Sequence, residues 1–205
     1  MFMTMWTIGI VSTISLLILP PPYLFSETNF ALLFLAPMIG TLAAEAWGYW
    51  FNDFLLKNYL KKNPNIDDYQ PEHRLRGVYV PWIISIGGLI LFGQSFQHQL
   101  SWVGVAFGWG MLCFGTLGTT TAVSSYILDV FPHHAALASA WILSARVLGG
   151  FCVVYFQTVW IERNGPAVAF GAQAGIIAAA VLSIAATQYF GAGWRRRFPA
   201  PAPEN

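Results

Sequence analysis

Six long apolar stretches, almost free of charge, constrain this chain more than any other feature of its sequence. They cover residues 3–19, 29–51, 78–97, 100–127, 135–160 and 166–190. Each is close to the roughly 20 apolar residues that a helix needs to cross the hydrocarbon layer of a bilayer. Of the 10 basic and 9 acidic residues, only Glu45 and Arg146 fall inside these stretches. The sequence therefore predicts an all-α integral membrane protein, a single domain built as a bundle of six transmembrane helices.

The composition argues against the other common classes of protein. Charged residues make up 9% of the chain, against about 25% in an ordinary soluble domain. A net charge of +1 is too small to indicate a nucleic-acid partner, so the lipid bilayer is the expected surroundings. A cleaved signal peptide is the alternative for the first stretch. That alternative is disfavoured because no basic residue precedes the stretch and no clear small-residue cleavage site precedes Pro20.

The distribution of Lys and Arg predicts how the chain is oriented, because these residues collect in cytoplasmic loops. The loop 52–77 carries five of them and the tail 191–205 carries three. The connections expected on the opposite face carry only Arg163. We therefore expect the long loop, the tail and both termini to be cytoplasmic, with the plasma membrane as the host membrane.

Two ionisable side chains deep in the predicted bilayer are the first candidates for function. Arg146 lies about 16 Å into the fifth stretch, and Glu45 lies about 9 Å from the cytoplasmic end of the second, at 1.5 Å per residue. A charge at such depth is costly, so it normally faces a partner or a cavity. A buried ion pair between Arg146 and Glu45 and an anion or proton site both remain open. Trp109, near the middle of the fourth stretch, is either a packing residue or a platform for a ligand.

A polar group after the fourth stretch raises the alternative of a membrane hydrolase or a metal site. It consists of Asp129, His133 and His134. The two histidines are adjacent rather than spaced i, i+4, and no Gly-x-Ser-x-Gly or HExxH motif accompanies them. Cys113 and Cys152 show no metal-ligand spacing either. We therefore predict no enzyme activity, no catalytic residue, no metal and no cofactor.

Pairs of glycines spaced i, i+4 mark helix faces on which backbones approach closely. Two such pairs occur, Gly104 with Gly108 in the fourth stretch and Gly171 with Gly175 in the sixth. Packing within the chain is the favoured interpretation, and a homodimer contact is the alternative. Pro37 in the second stretch frees the carbonyl of Leu33 and predicts a kink there.

Several segments resemble a known family of membrane proteins. They are GYWFND at 48–53, KKN at 61–63, PEHRL at 71–75, YILDVFP at 126–132, SARVLGGF at 144–151, WIERNG at 160–165 and AFGAQAGI at 169–176. In order, they resemble the eighth to twelfth helices and connecting loops of fungal major facilitator transporters. The resemblance is closest to the general-substrate and drug:proton antiporter-like members and runs nearly end to end. PEHRL is its most specific element.

The resemblance implies a fold and a function. Major facilitator proteins have two six-helix halves with the solute bound between them near the midplane, and this chain resembles the second half. It thus implies proton-coupled, secondary-active transport of a small organic solute. The family's cavity-lining helices correspond to those that carry Arg146, Glu45, Trp109 and Tyr126, which become the expected contacts for solute or proton.

The resemblance also implies a cytoplasmic gate. Asp53 matches the acidic member of the family's gate motif, and Glu72, Arg74 and Asp129 match the same network. Because a single half lacks the opposite wall of the cavity, a separate N-terminal half or a homodimer is the expected partner. The alternatives are a non-transporting membrane interaction protein and a truncated relic or fragmentary gene product.

Overall fold

The structure, a computed structural model, describes residues 1–21, 23–62 and 71–197. Within these ranges, the side chains of residues 52, 53, 55, 56, 58–62, 71–73, 192 and 194–196 fall outside the description. The α-helices, in chain order, are α1 (Phe2–Ile18), α2 (Glu27–Leu33), α3 (Leu35–Lys62), α4 (Tyr79–Gln97), α5 (Trp102–Val130), α6 (Ala135–Asn164) and α7 (Pro166–Arg197). Short 3-10 helices at Pro71–Val78 and Pro132–His134 precede α4 and α6.

The predicted all-α membrane bundle is confirmed. Five helical segments are long and apolar enough to cross a bilayer: Glu27–Phe51, Arg74–Gln97, Trp102–Val130, Pro132–Asn164 and Pro166–Gly191. The remaining helix, α1, is apolar and has 17 residues, at the short end of the range of about 17 to 25 residues for a spanning helix. Many large apolar side chains lie on the outside of the bundle, and Trp141, Leu182 and Ile83 are each about 70% exposed. Such a surface suits lipid rather than water.

The kink predicted from Pro37 occurs as a break in the helix. One helix ends at Leu33, Phe34 adopts a turn, and the next helix begins at Leu35. Proline has no N–H to donate, and its ring crowds the carbonyl four residues earlier. The interruption at Phe34 therefore follows directly from the sequence.

The long polar connection is shorter than the predicted loop 52–77. Helix α3 continues to Lys62, because neither glycine nor proline interrupts residues 49–62, which include several strong helix formers. A 3-10 helix, Pro71–Val78, then leads into α4. At the other end of the chain, α7 continues past the predicted limit at residue 190 to Arg197.

Helix α4 lies in the middle of the packing, against α5 on one side and α7 on the other, while α3 packs on α5 and α1 on α6. The crossing of α4 and α5 is close because it is made by Gly88 and Gly108. A Cβ added to Gly108 would lie 2.8 Å from the carbonyl oxygen of Gly88. Small residues allow such backbone contact between membrane helices.

The helices alternate in direction and leave their connections on two faces of the bundle. On the short-loop face, defined as residues 19–21, 23–26, 98–101 and 165, the Tyr23 hydroxyl donates to the carbonyls of Ser95 (2.8 Å) and Leu100 (2.7 Å). Gly165 joins α6 to α7 with φ of +80°, a conformation that favours glycine. The long-loop face, defined as residues 71–78 and 131–134, lies at the opposite ends of the helices.

Candidate functional site

Arg146 lies at a cavity inside the bundle. The side chain is half-buried on α6, and the cavity of about 300 Å³ is enclosed by residues from α1, α4, α5, α6 and α7. An arginine at the centre of a membrane helix costs about 2.5 to 3.5 kcal/mol on insertion scales, so its guanidinium needs a favourable environment. The cavity provides a place where a ligand could supply one.

Hydroxyl groups form a second polar element of the cavity. Thr119 and Thr120 of α5 line it, and Thr119 is only 7% exposed. The Oγ1 of Thr119 has no hydrogen-bond partner among the described residues. A buried polar atom without a partner is uncommon in a folded protein. Thr119 and Arg146 thus line the same cavity from two different helices.

Apart from Thr4, the rest of the cavity wall is apolar. Ile142, Val123, Ile177 and Ile184 contribute aliphatic surface, and Trp82 contributes an indole ring. The indole N–H of Trp82 already donates to the carbonyl of Ile177 at 3.0 Å. Trp82 therefore offers the cavity its ring rather than a free donor.

Arg146 and Glu45 do not form the ion pair that the sequence left open. Glu45 is exposed on α3, which packs against α5, whereas Arg146 is on α6, which packs mainly against α1. Among the described side chains, the ion pair found joins two other residues, Arg74 and Asp129. The compatible depths of Glu45 and Arg146 did not bring them together, because their helices are not packed neighbours.

Trp109 and Tyr126, the other expected solute contacts, both lie away from the Arg146 cavity. Trp109 is buried, and its ring meets Phe34 edge-on with centroids 5.0 Å apart. Its indole N–H has no partner among the described residues. Tyr126 is half-buried and packs at the edge of the hydrophobic core. Neither residue is among those that line the cavity.

Two of the four expected gate residues meet on the long-loop face. The Nε of Arg74 lies 2.6 Å from Oδ2 of Asp129, which joins the 3-10 helix before α4 to the last turn of α5. Both side chains are mostly buried, at 30% and 24% exposed. The side chains of Asp53 and Glu72 lie outside the described part of the structure.

The structure gives no support to the hydrolase alternative. Asp129, its candidate carboxylate, is paired with Arg74, and His133 is exposed in the 3-10 helix that follows. No group of three His, Cys, Asp or Glu side chains in the described part of the chain is placed to hold a metal ion. The polar cluster after α5 is thus a connection between helices that is fastened by an ion pair.

The two glycine pairs have different surroundings. Gly104 and Gly108 face α4, where an added Cβ would meet Ser95 and Gly88 respectively, so this pair is used for packing within the chain. Gly171 and Gly175 have nothing within 4 Å of an added Cβ. The Gly171 and Gly175 face of α7 is therefore open.

Several uncharged polar residues inside the bundle were not predicted as candidate site residues. Gln157 and Gln173 are fully buried, and Gln157 donates to the Oγ1 of Thr13 at 3.3 Å. Neither amide atom of Gln173 has a partner among the described residues. Two glutamines and a run of three threonines within apolar stretches were the signals that could have identified such positions, including Thr119.

Fold and cavity together define a multi-pass α-helical membrane protein with a polar site inside its bundle. Comparison with known proteins shows similarity to fungal transporters. The chain is 26% identical to quinidine resistance protein 3 of Saccharomyces cerevisiae over 87% of its own length and 26% of the relative's. It is 26% identical to the MFS-type transporter paaT of Penicillium rubens over 69% of its length and 25% of the relative's. It is also 25% identical to the multidrug transporter TPO3 of Candida glabrata over 70% of its length and 22% of the relative's.

These similarities confirm the resemblance to fungal major facilitator transporters and drug efflux pumps. The chain spans about a quarter of the length of the curated relatives it matches. No family model and no solved structure matches it. The named relatives are transporters, which are not enzymes.

Proposed function

We propose that this chain is the C-terminal half of a major facilitator transporter that moves a small organic solute by proton-coupled, secondary-active transport. The observation that carries the proposal is the cavity at Arg146, where a charged side chain deep in an apolar bundle faces a cavity rather than a carboxylate. Charges at this depth are typical of solute and ion pathways. The names of the relatives, which are transporters and efflux pumps, support the same class of function.

The exposed position of Glu45 supports a role that involves a second protein surface. Glu45 is exposed on α3, within the part of that helix that is apolar enough to cross a bilayer. A carboxylate there is unfavourable against lipid and favourable against a water-filled space between two halves. We propose that Glu45 faces such a space, together with the solute path of the complete transporter, and exchanges the coupled proton.

We also propose that the long-loop face is the cytoplasmic gate. The Arg74 and Asp129 pair fixes two of its elements to each other, and Asp53 and Glu72 are placed in the same network by resemblance alone. In this arrangement both termini are cytoplasmic and the plasma membrane is the host.

The expected partner is an N-terminal half. A homodimer could use the open Gly171 and Gly175 face of α7 but not Gly104 and Gly108, which pack against α4.

The open α7 face favours one second candidate, a membrane interaction protein without transport activity. The two functions differ in what Glu45 does. A transporter should lose coupled flux in Glu45→Gln, whereas an interaction protein should keep its cellular phenotype in Glu45→Gln and lose it in Gly171→Leu. Leucine at Gly171 would cover the small-residue surface on which another helix could pack.

Flux into proteoliposomes tests the transport proposal. Quinidine and 1-naphthoate serve as a cationic and an anionic probe, with an imposed pH gradient and protein-free vesicles as the background. We expect no flux of either probe from the chain alone, and flux of at least one probe when a six-helix N-terminal half is co-expressed. Glu45→Gln should abolish the dependence of this flux on the pH gradient. Glu162→Gln, an exposed control near the end of α6, should leave that dependence unchanged. Equal flux from the isolated monomer, or no flux with any partner, contradicts the proposal.

A further inference from the structure

The cavity at Arg146 combines features that together select one chemical class of ligand. We propose that it binds a small organic anion, a single carboxylate attached to an apolar body. This assignment of the substrate class rests on the proposed transport function. It goes further because it specifies which ligand charge the site accepts and which residues recognise it.

The positive charge in the cavity favours an anionic ligand. Arg146 lines it, and no carboxylate among the described side chains forms an ion pair with Arg146. Asp129, at the end of the neighbouring helix α5, is paired with Arg74 at the long-loop face. A guanidinium in an apolar setting binds carboxylates through charge-assisted, often bidentate hydrogen bonds. A bound carboxylate would supply the missing counter-charge.

Hydrogen bonding within the cavity fits the same headgroup. The Oγ1 of Thr119 is buried and unused among the described residues, and Thr119 lines the cavity on the α5 side while Arg146 lines it on the α6 side. A hydroxyl can donate to a carboxylate oxygen. The proposed carboxylate thus lies between Arg146 and Thr119, which line the same cavity from different helices.

The size and lining of the cavity describe the remainder of the ligand. A volume of about 300 Å³ is at the lower end of the range for ligand pockets, which suits a molecule with one or two rings. The walls are formed by aliphatic side chains and by the ring of Trp82, whose N–H is already engaged by the carbonyl of Ile177. An apolar ligand body fits these mostly apolar walls.

The positive charge of Arg146 disfavours an organic cation at this position. Quinidine, which occurs in the name of one relative, carries a protonated amine at neutral pH. The cavity would place that amine beside Arg146, and like charges in an apolar setting repel strongly. If this protein transports cations, they should bind elsewhere, in the space that Glu45 faces.

Equilibrium binding to the purified chain in detergent micelles tests the proposal directly. The probes are radiolabelled 1-naphthoate, the neutral 1-naphthamide and the cationic 1-naphthylmethylammonium, which share one ring system and differ in charge. We expect 1-naphthoate to bind at least tenfold more tightly than either analogue. This comparison uses the unaltered protein, so it stays decisive if a variant fails to fold.

Variants then assign the binding to the cavity. Arg146→Ala should weaken 1-naphthoate binding by about tenfold to a hundredfold, the range expected for a hydrogen bond to a charged group. Arg146→Lys should retain part of the affinity, and Thr119→Val should lower it severalfold. Arg163→Ala, which removes an exposed arginine from the last turn of the same helix, should leave it unchanged.

The outcomes separate this proposal from the transport function. Equal binding of 1-naphthoate and 1-naphthamide, or full 1-naphthoate affinity in a folded Arg146→Ala variant, overturns the anion site. Quinidine flux without 1-naphthoate binding would leave transport standing and refute the anion site. Binding that depends on Arg146, without flux of either probe, would support the anion site and contradict the transport function.

Discussion

Arg74 and Asp129 form an ion pair, with Nε and Oδ2 2.6 Å apart, although 55 positions separate them in the chain. The contact joins the 3-10 helix that leads into α4 to the last turn of α5, and so it closes the long-loop face. Helices α4 and α5 already pack tightly at Gly88 and Gly108. The ion pair therefore adds a contact between the α4 and α5 segments at the long-loop edge of the bundle, beyond their close packing at Gly88 and Gly108.

The first prediction concerns the strength of this ion pair. Because both side chains retain some exposure, we expect a coupling free energy of about 1 kcal/mol. A double-mutant cycle of Arg74→Ala and Asp129→Ala, read by unfolding in increasing detergent denaturant, measures it separately from the other contacts of each residue. Arg76→Ala, an exposed arginine in the same 3-10 helix, should couple to neither. Strictly additive effects of the two substitutions would show that the pair contributes nothing.

The second prediction concerns the glycine crossing. Gly108→Ala should lower the free energy of unfolding by about 1 to 3 kcal/mol, because the new Cβ would lie 2.8 Å from both the Gly88 carbonyl oxygen and the Phe92 nitrogen. Gly171→Ala is the matched control, since its Cβ would meet nothing within 4 Å. Thermal unfolding of both variants checks the difference. Equal behaviour of the two would mean that α4 and α5 do not cross as closely as described.

The third prediction uses the hydroxyl of Tyr23 on the short-loop face. Tyr23→Phe should cost about 0.5 to 1.5 kcal/mol, because it removes the donor shared by the Ser95 and Leu100 carbonyls. Tyr155→Phe, which changes a tyrosine exposed at the surface, should be nearly neutral. Denaturant unfolding of the two variants provides the measurement, and similar losses in both would contradict the contact.

Tyr23 also predicts a dependence on pH. Burial raises the pKa of Tyr23 above its ordinary value of 10.0, so the folded state favours the protonated phenol. Its contribution should be complete below pH 10.0 and should be lost as the pH rises through the higher folded-state value. The stability difference between the parent chain and Tyr23→Phe should therefore shrink above pH 10.0. A difference that grows with pH would contradict this.

The fourth prediction concerns the buried glutamine of α7. Gln173→Met should stabilise the protein by about 1 kcal/mol, because it replaces an amide without described partners by an apolar side chain of similar shape. Gln188→Met, on the same helix, should destabilise by a similar amount, since its Oε1 accepts a 2.6 Å hydrogen bond from Tyr79. Opposite shifts in thermal unfolding are expected. A destabilised Gln173→Met variant would show that the amide has a structural role.

Much of this fold can be read from the sequence, because hydropathy sets where helices lie in a bilayer and proline sets where they break. The interruption at Phe34 follows from Pro37, and the predicted all-α bundle is confirmed. Hydropathy ends the spanning stretch at residue 51, and the loop was predicted from 52 onward. Helix α3 nevertheless continues to Lys62, because the residues after Phe51 include several strong helix formers.

The site was harder to predict, for a geometric reason. Hydropathy predicts how deep Glu45 and Arg146 lie in the bilayer but not which helices become neighbours. Their two helices do not pack against each other, so the residues do not pair although their depths are compatible. The contact between Arg74 and Asp129 depends on two segments far apart in sequence, and only family resemblance linked them. Thr119 was overlooked because an uncharged hydroxyl hardly alters the hydropathy of its stretch.

The claim on which cavity, gate and transport all depend is that the helices cross a bilayer alternately, leaving the two loop faces on opposite sides. Single cysteines at Lys57, Gln99, Arg163 and Arg197, in a background with Cys113 and Cys152 replaced by Ala, test it with a membrane-impermeant maleimide on sealed vesicles. We predict that positions 57 and 197 label only from the cytoplasmic side and that positions 99 and 163 label only from the other. Labelling of positions 57 and 99 from the same side would contradict the account.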